Sequence, residues 1–162
     1  MTTTTRQTDQ TALFREAMAS FPSGVTLVTT VAADGTPWGF TATAFCSLSA
    51  DPPLVLVCLA KSAQCHPVFL DSERFAVQVI HAGHTGLAER FATRGADKFG
   101  GGEFVLNSNG IPLLPNAPVL LECSVHERHD GGDHTILIGR VARVAVGPEP
   151  PVVYFQRRFH QL

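Results

Sequence analysis

Two Asp-Gly turns, each placed between runs of strand-forming residues, limit the folds open to this chain. The first turn contains Asp34-Gly35, and the second is Asp130-Gly131-Gly132-Asp133. The flanking runs are rich in β-branched and other apolar residues and are predicted as strands: residues 25–31, 38–49, 119–129 and 134–146. An Asp-Gly pair between two such runs is typical of a β-hairpin, so these four strands are predicted to pair antiparallel.

The remaining pattern adds short elements of both kinds. Three further apolar runs are predicted as strands: residues 54–60, 74–80 and 152–155. Apolar residues at three-to-four spacing predict helices at residues 9–20 and 83–93, with a shorter one within 61–72. The fold class is therefore mainly β, an antiparallel barrel with a few short capping helices and Greek-key-like connections. We expect a flexible tail over residues 1–10 and a single domain over residues 11–162.

Charge and hydropathy exclude several function classes. Twelve basic and fourteen acidic residues give a net charge of −2, which argues against nucleic acid or anionic lipid as a partner. The longest apolar run has seven residues, too few to cross a membrane, and no apolar signal segment is visible. Four cysteines form no zinc or CxxC spacing. They are expected to be buried, reduced thiols of a cytoplasmic protein.

The predicted strand at residues 38–49 has two different faces. Strand alternation puts an apolar set on one side and a hydroxyl-rich set on the other. The apolar set is Phe40, Ala42, Ala44, Cys46 and Leu48, and the hydroxyl-rich set is Thr41, Thr43, Phe45, Ser47 and Ser49. A row of hydroxyls is either a solvated face or a donor surface for a polar ligand.

Candidate catalytic groups are few. His126 and His129 lie three apart on a strand and are expected to face opposite sides, so no metal site is predicted. No Ser lies in a GxSxG turn. Lys61-Ser62 and Arg90 are bases that could meet a phosphate, and His134 follows a turn that could aim its imidazole into a cleft. From the residues alone, the pattern indicates a barrel that binds a phosphate-containing ligand.

Several motifs in order resemble the short-chain flavin reductases, the reductase components of two-component flavin-dependent monooxygenases. The resemblance covers roughly residues 13–162 and rests on the string SLSxDPPL, on Gly132-Asp133-His134 and on shorter matches. These matches are Gly24-Val25, Val28-Thr29-Thr30, Phe75-Ala76-Val77, Arg90-Phe91, Lys98-Phe99, Leu121-Glu122-Cys123, Gly139-Arg140-Val141 and Tyr154-Phe155-Gln156-Arg157-Arg158-Phe159.

This resemblance implies a split β-barrel that binds FAD or FMN at a homodimer interface. It also implies hydride transfer from NADH, or from NADPH, to the flavin, which is then released to a partner monooxygenase. The cofactors carry the electronic chemistry and the protein supplies proximity and orientation, so a catalytic triad is not needed.

Site residues follow from the resemblance position by position. His134 is the expected catalytic residue, next to the nicotinamide. The expected cofactor-binding residues are Thr41, Ala42, Thr43, Ser47, Leu48, Ser49, Lys61, Ser62, Arg90, Phe91, Asp133, His134, Tyr154 and Arg158. Of these, Lys61 and Ser62 match the segment at the flavin's phosphate or ribityl end, and Tyr154 and Arg158 match the tail over the nicotinamide nucleotide.

Two alternative functions remain at this stage. The chain could be an oxidase of the pyridoxamine-phosphate-oxidase-like type with tightly bound FMN, or a non-enzymatic flavin- or haem-binding module. The sequence does not distinguish FAD from FMN, or NADH from NADPH, and it does not identify the oxygenase or its substrate.

Overall fold

A computed structural model describes residues 3–162, with side chains from Asp9 onward. The helices are α1 (Thr3–Ala19), α2 (His66–Asp71), α3 (Thr85–Ala92) and a 3-10 helix (Ala82–His84). The strands are β1 (Ser23–Gly24), β2 (Thr26–Val31), β3 (Pro37–Ala42), β4 (Phe45–Ala50), β5 (Pro53–Ala60), β6 (Arg74–Val79), β7 (Val105–Leu106), β8 (Pro112–Leu113), β9 (Val119–Gly131), β10 (His134–Val146), β11 (Val152–Phe155) and β12 (Arg158–Gln161).

Seven strands form one antiparallel sheet in the order β3-β2-β6-β9-β10-β5-β4. Its edge strands β3 and β4 are joined in sequence by only Thr43 and Ala44. The two edges of the sheet must therefore lie side by side, so the sheet curls on itself around an apolar core. This confirms the mainly β, antiparallel fold with few short helices.

The core has one cluster within the curled sheet and a second on its outer side. The first includes Phe69 of α2 and Phe75 of β6, both 1% exposed, and the second joins Leu27 to Phe91 of α3. Because β2 lies between them, it is buried on both faces. Its threonine hydroxyls donate to backbone carbonyls, as Thr26 Oγ1 does to Ala42 O at 2.9 Å, so their burial costs little.

The prediction of one continuous strand over residues 38–49 is wrong, because the structure divides this segment into β3 and β4. Phe45 N donates to Thr43 O at 3.1 Å, and Cys58 N donates to Ala44 O at 3.0 Å. The chain thus changes from one sheet edge to the other without a Gly or Pro to mark the place. As a result Cys46, predicted to be buried, is exposed on β4, whereas Cys65 and Cys123 are buried.

The N-terminal segment also differs from its prediction. Helix α1 begins at Thr3 rather than near residue 9, and Met1 and Thr2 lie outside the described residues. No Gly or Pro precedes Pro22 to interrupt the helix. None of the helices in residues 3–162 is long and apolar enough to span a membrane.

The C-terminal tail forms a hairpin that the sequence pattern did not indicate. β11 pairs with β12, and the loop residues Gln156 and Arg157 have φ of 48° and 60°. Two positive φ values normally call for Asn-Gly in such a turn. β11 also pairs with β1, which makes a small three-stranded sheet beside the main one.

Candidate functional site

Two cavities adjoin at Thr41 and Ala92. The Lys98 cavity, of about 370 Å³, is lined by residues of β3, β5, α3 and the segments after β5 and α3: Phe40, Thr41, Cys58, Leu59, Ala60, Ser62, Ala63, Gln64, Cys65, Phe91, Ala92, Arg94, Lys98 and His134. The Tyr154 cavity, of about 570 Å³, is lined by Val25, Thr41, Thr43, Ala88, Glu89, Ala92, Tyr154, Arg157, Arg158 and Phe159.

Thr41 fixes the wall between the two cavities. Its hydroxyl donates to Ala88 O of α3 at 2.6 Å, which ties β3 to the helix. The hydroxyl hydrogen is used in this bond, so toward a ligand the oxygen can only accept. Thr43, two residues further, is exposed and lines the Tyr154 cavity.

Lys98 is carried into its cavity by a loop without strand structure. Its Nζ donates to Gly39 O at 2.9 Å and lies 5.9 Å from the centre of the Phe91 ring. Phe91, Phe99 and Phe104 form a triangle with ring centroids 5.1–5.4 Å apart, and this packing holds the loop against α3. Burial lowers the pKa of Lys98, with a small opposing effect from Cys65.

The charges that line the Lys98 cavity are all of one sign. Arg94 Nη1 donates to Ser62 O at 3.0 Å, and Lys98 donates to a carbonyl, so neither cation is neutralised by a carboxylate there. No Asp or Glu is among the described residues that line this cavity. The cavity therefore suits an anionic group. Sequence reasoning missed both Arg94 and Lys98 as site residues, since each is a single cation in a loop.

His134 is the first residue of β10 and lines the same cavity. Its Nδ1 lies 2.7 Å from Asp133 Oδ1. The hydrogen bond from His134, together with its charge, lowers the pKa of the exposed Asp133 carboxyl. A carboxylate only accepts, so Nδ1 carries the proton and Nε2 is the nitrogen left for other partners.

Lys61 and Arg90 lie outside both cavities. Lys61 forms an ion pair with Asp130 of the β9–β10 hairpin. Arg90 Nη1 lies 2.9 Å from Glu103 Oε1 and faces a separate cavity of about 430 Å³. Phe91 next to it faces the Lys98 cavity, because successive helical residues point about 100° apart.

Five other predicted residues do not line the two cavities. One is Asp133, which lies at the cavity only through its bond to His134. Ala42 is buried in the core. Ser47, Leu48 and Ser49 lie on β4, where a bulge at Leu48 interrupts the pairing with β5. The hydroxyl row is thus divided, since Thr41 and Thr43 stand at the cavities and the two serines do not.

Tyr154 and Arg158 line the Tyr154 cavity as a pair of neighbours across the β11–β12 hairpin. Tyr154 pairs with Phe159, and their ring centroids are 5.2 Å apart. Arg157 lines the same cavity and was not among the predicted site residues. Two guanidinium groups beside an aromatic pair form a wall suited to a nucleotide with phosphates.

A bulge changes the arrangement expected for His126 and His129. Residue 126 has no partner on β10, and Glu127 reaches both imidazoles, at 3.9 Å and 2.7 Å. Within residues 3–162, no group of three or more His, Cys, Asp or Glu side chains has the geometry to hold a metal ion.

A curled antiparallel sheet that carries a cationic cavity beside an aromatic one defines a barrel of the nucleotide-cofactor-binding class. Residues 18–162 match the family model described as flavin reductase like domain, and the chain belongs to this family.

Named relatives agree with this membership. The chain is 50% identical to the actinorhodin polyketide dimerase of Streptomyces coelicolor, over 93% of this chain and 85% of that one. It is similar to the structure of an NADH:FAD oxidoreductase of Streptomyces globisporus in complex with NAD and FAD fragments. The TM-score is 0.88 and the identity 36%, over 95% of this chain and 93% of that one. It is also similar to the structure of the styrene monooxygenase flavin reductase of Pseudomonas putida. Here the TM-score is 0.82 and the identity 30%, over 92% of this chain and 97% of that one.

Proposed function

We propose that this protein is an NADH:flavin oxidoreductase, which reduces FAD or FMN and supplies the reduced flavin to a partner monooxygenase. The observation that carries the proposal is the adjoining pair of cavities, which share Thr41 and Ala92. Hydride transfer needs two ring systems in contact, and two cavities that share lining residues can hold their ligands side by side. When bound, the nicotinamide donates the hydride and the flavin accepts it.

The Lys98 cavity fits the phosphate-bearing flavin. Lys98 and Arg94 supply two positive charges that no carboxylate of the cavity offsets. Ser62, whose backbone carbonyl accepts from Arg94, also lines the cavity, and Phe91 adds an apolar wall. These groups would bind and orient the flavin, while the acceptor oxygen of Thr41 faces the boundary with the second cavity.

The Tyr154 cavity fits the nicotinamide nucleotide. Arg157 and Arg158 would bind its phosphates, and Tyr154 with Phe159 would pack against its rings. His134 lines the Lys98 cavity rather than this one, and we assign to it the task of orienting the nicotinamide carboxamide where that ring meets the flavin, through the Nε2 that Asp133 leaves free.

A homodimer is the second part of the proposal. Along α1 and just after it, Leu13, Phe14, Met18 and Phe21 are 52–68% exposed, and the described part of α1 makes no extensive contact with any other element. A helix with an uncovered apolar face is stabilised by packing against a partner. A second copy of this chain supplies a matching surface by symmetry.

The use of NADH and the presence of four free thiols favour the cytoplasm as the location of this protein.

The test measures loss of nicotinamide absorbance with NADH or NADPH, each paired with FAD, FMN or no flavin. Turnover with NADH that saturates as free flavin rises supports the proposal. A purified protein that holds FMN tightly, without turnover on added flavin, would instead support the oxidase alternative. Flavin binding without either activity would support a binding module.

A second candidate comes from the relative named a polyketide dimerase. This candidate, in which the chain itself joins two polyketide molecules, is tested by incubating the protein with a monomeric polyketide, NADH and flavin. Coupled product above that formed by flavin and NADH alone would favour this candidate.

A further inference from the structure

The β11–β12 turn brings Arg157 to the Tyr154 cavity in a conformation that its own residues disfavour. Gln156 and Arg157 have φ of 48° and 60°, in the region where a side chain is strained. Asn and Gly adopt positive φ in such a turn at little cost, but this turn contains neither residue type. Residues in this conformation persist when their surroundings hold them.

The last turn of α1 supplies such a hold. Gln156 N donates to Ala19 O at 2.8 Å. Ala19 is the final residue of α1, so its carbonyl has no acceptor role within the helix and is open to an outside donor. The bond joins the strained turn to a helix far from it in sequence.

The chain around this bond reinforces the link. Ser23 of β1 follows α1 closely and pairs with Tyr154, and Tyr154 pairs in turn with Phe159. The end of α1, β1 and the hairpin therefore form one hydrogen-bonded unit. Arg157 and Arg158 enter the cavity from the loop of that unit.

We propose that the C-terminal end of α1 is a positioning element for nicotinamide nucleotide binding, which acts by holding the Gln156–Arg157 turn through the Ala19 carbonyl. This inference rests on the proposed function, because it assumes that the nucleotide occupies the Tyr154 cavity. It assigns to α1 a role at the site in addition to any role in assembly.

The experiment compares two proline substitutions in the full chain. Ala19→Pro distorts the last turn of α1 and moves its carbonyl, while Ala12→Pro breaks the same helix away from the turn. We expect Ala19→Pro to raise KM for NADH about five- to tenfold, the effect of losing one positioned contact. The KM for flavin should stay within about twofold. Ala12→Pro should leave KM for NADH near its original value.

Rescue separates positioning from general damage. Asn adopts positive φ more readily than Gln, so Gln156→Asn added to Ala19→Pro should restore KM for NADH. Equal effects of the two prolines, an equal rise in KM for flavin, or absence of rescue would overturn the inference. If the unsubstituted protein does not oxidise NADH, the proposed function fails. If it does and Ala19→Pro has a normal KM, only the inference fails.

Discussion

The Asp133 carboxylate holds the imidazole of His134 through a hydrogen bond of 2.7 Å to Nδ1. Both residues lie at the β9–β10 turn, so the backbone of a tight hairpin sets the direction of the ring. A carboxylate can only accept, so the hydrogen of this bond is carried by Nδ1.

His134→Ala should lower NADH-dependent turnover by about 10- to 100-fold, because the nicotinamide loses an orienting group. Flavin affinity, measured by fluorescence titration, should fall less than turnover, because Lys98 and Arg94 keep their charges in the cavity that His134 also lines. His126→Ala, a matched change on the neighbouring strand and outside both cavities, serves as the control. Unchanged turnover in His134→Ala would contradict the role assigned here.

Lys98→Met should weaken flavin binding about 10- to 150-fold, since one charge-assisted hydrogen bond contributes roughly 1.5–3 kcal/mol. The control is Arg143→Met, which removes a surface cation paired with Glu122. Titration of each variant with FAD and FMN measures the effect. A larger loss in Lys61→Met than in Lys98→Met would favour the residue expected from the sequence over the one at the cavity.

Flavin affinity should fall as pH rises, beginning below the ordinary lysine pKa of 10.5, because burial lowers the pKa of Lys98. Deprotonation removes the positive charge that attracts the phosphate. Lys98→Arg keeps its charge over this range and should bind flavin with a flatter pH profile. Parallel profiles for the two proteins would mean that another group is responsible.

Gly39→Ala should destabilise the fold by about 1–3 kcal/mol through overpacking. A Cβ at this position would lie 2.6 Å from Phe91 Cε1 and 2.9 Å from the fixed carbonyl of Val28. Gly86→Ala in α3 meets no atom within 4 Å and should be neutral or stabilising. Denaturant unfolding of both variants measures the difference, and equal stabilities would contradict this packing.

Phe14→Glu should shift the protein from dimer to monomer if the exposed face of α1 is the contact between copies. The side chain is 64% exposed, so the isolated fold should tolerate the change. Sedimentation at several concentrations reports the state, with Gln10→Glu on the same helix as control. A dimer that survives Phe14→Glu would place the contact on another surface.

Features encoded locally were predictable from the sequence. Asp34-Gly35 and Asp130–Asp133 marked their hairpins correctly, and α3 followed from the spacing of Leu87 and Phe91. The family resemblance identified the class of protein. It also indicated Thr41, Thr43, Ser62, Phe91, His134, Tyr154 and Arg158, all of which line one of the two cavities.

Features that depend on distant contacts were not predictable. The break at Thr43 arises because the sheet curls, and no residue type at that point announces it. Arg90 pairs with Glu103 and Lys61 pairs with Asp130, whereas Arg94 and Lys98 donate to backbone carbonyls. The sequence pattern does not show which of these cations has a carboxylate partner. The Gln156–Arg157 turn depends on Ala19, which lies more than a hundred residues earlier in the chain.

The two-residue link at Thr43 and Ala44 also sets where this barrel tolerates changes of length. Every other strand edge in the main sheet is paired, whereas the outer strands β3 and β4 are joined in sequence only by this link. An inserted residue here would let β3 and β4 separate beside the cavities, while the Asp34 turn could accept a longer loop at the periphery. Insertions and deletions should therefore be tolerated less at this link than at other loops, even though Thr43 and Ala44 are exposed.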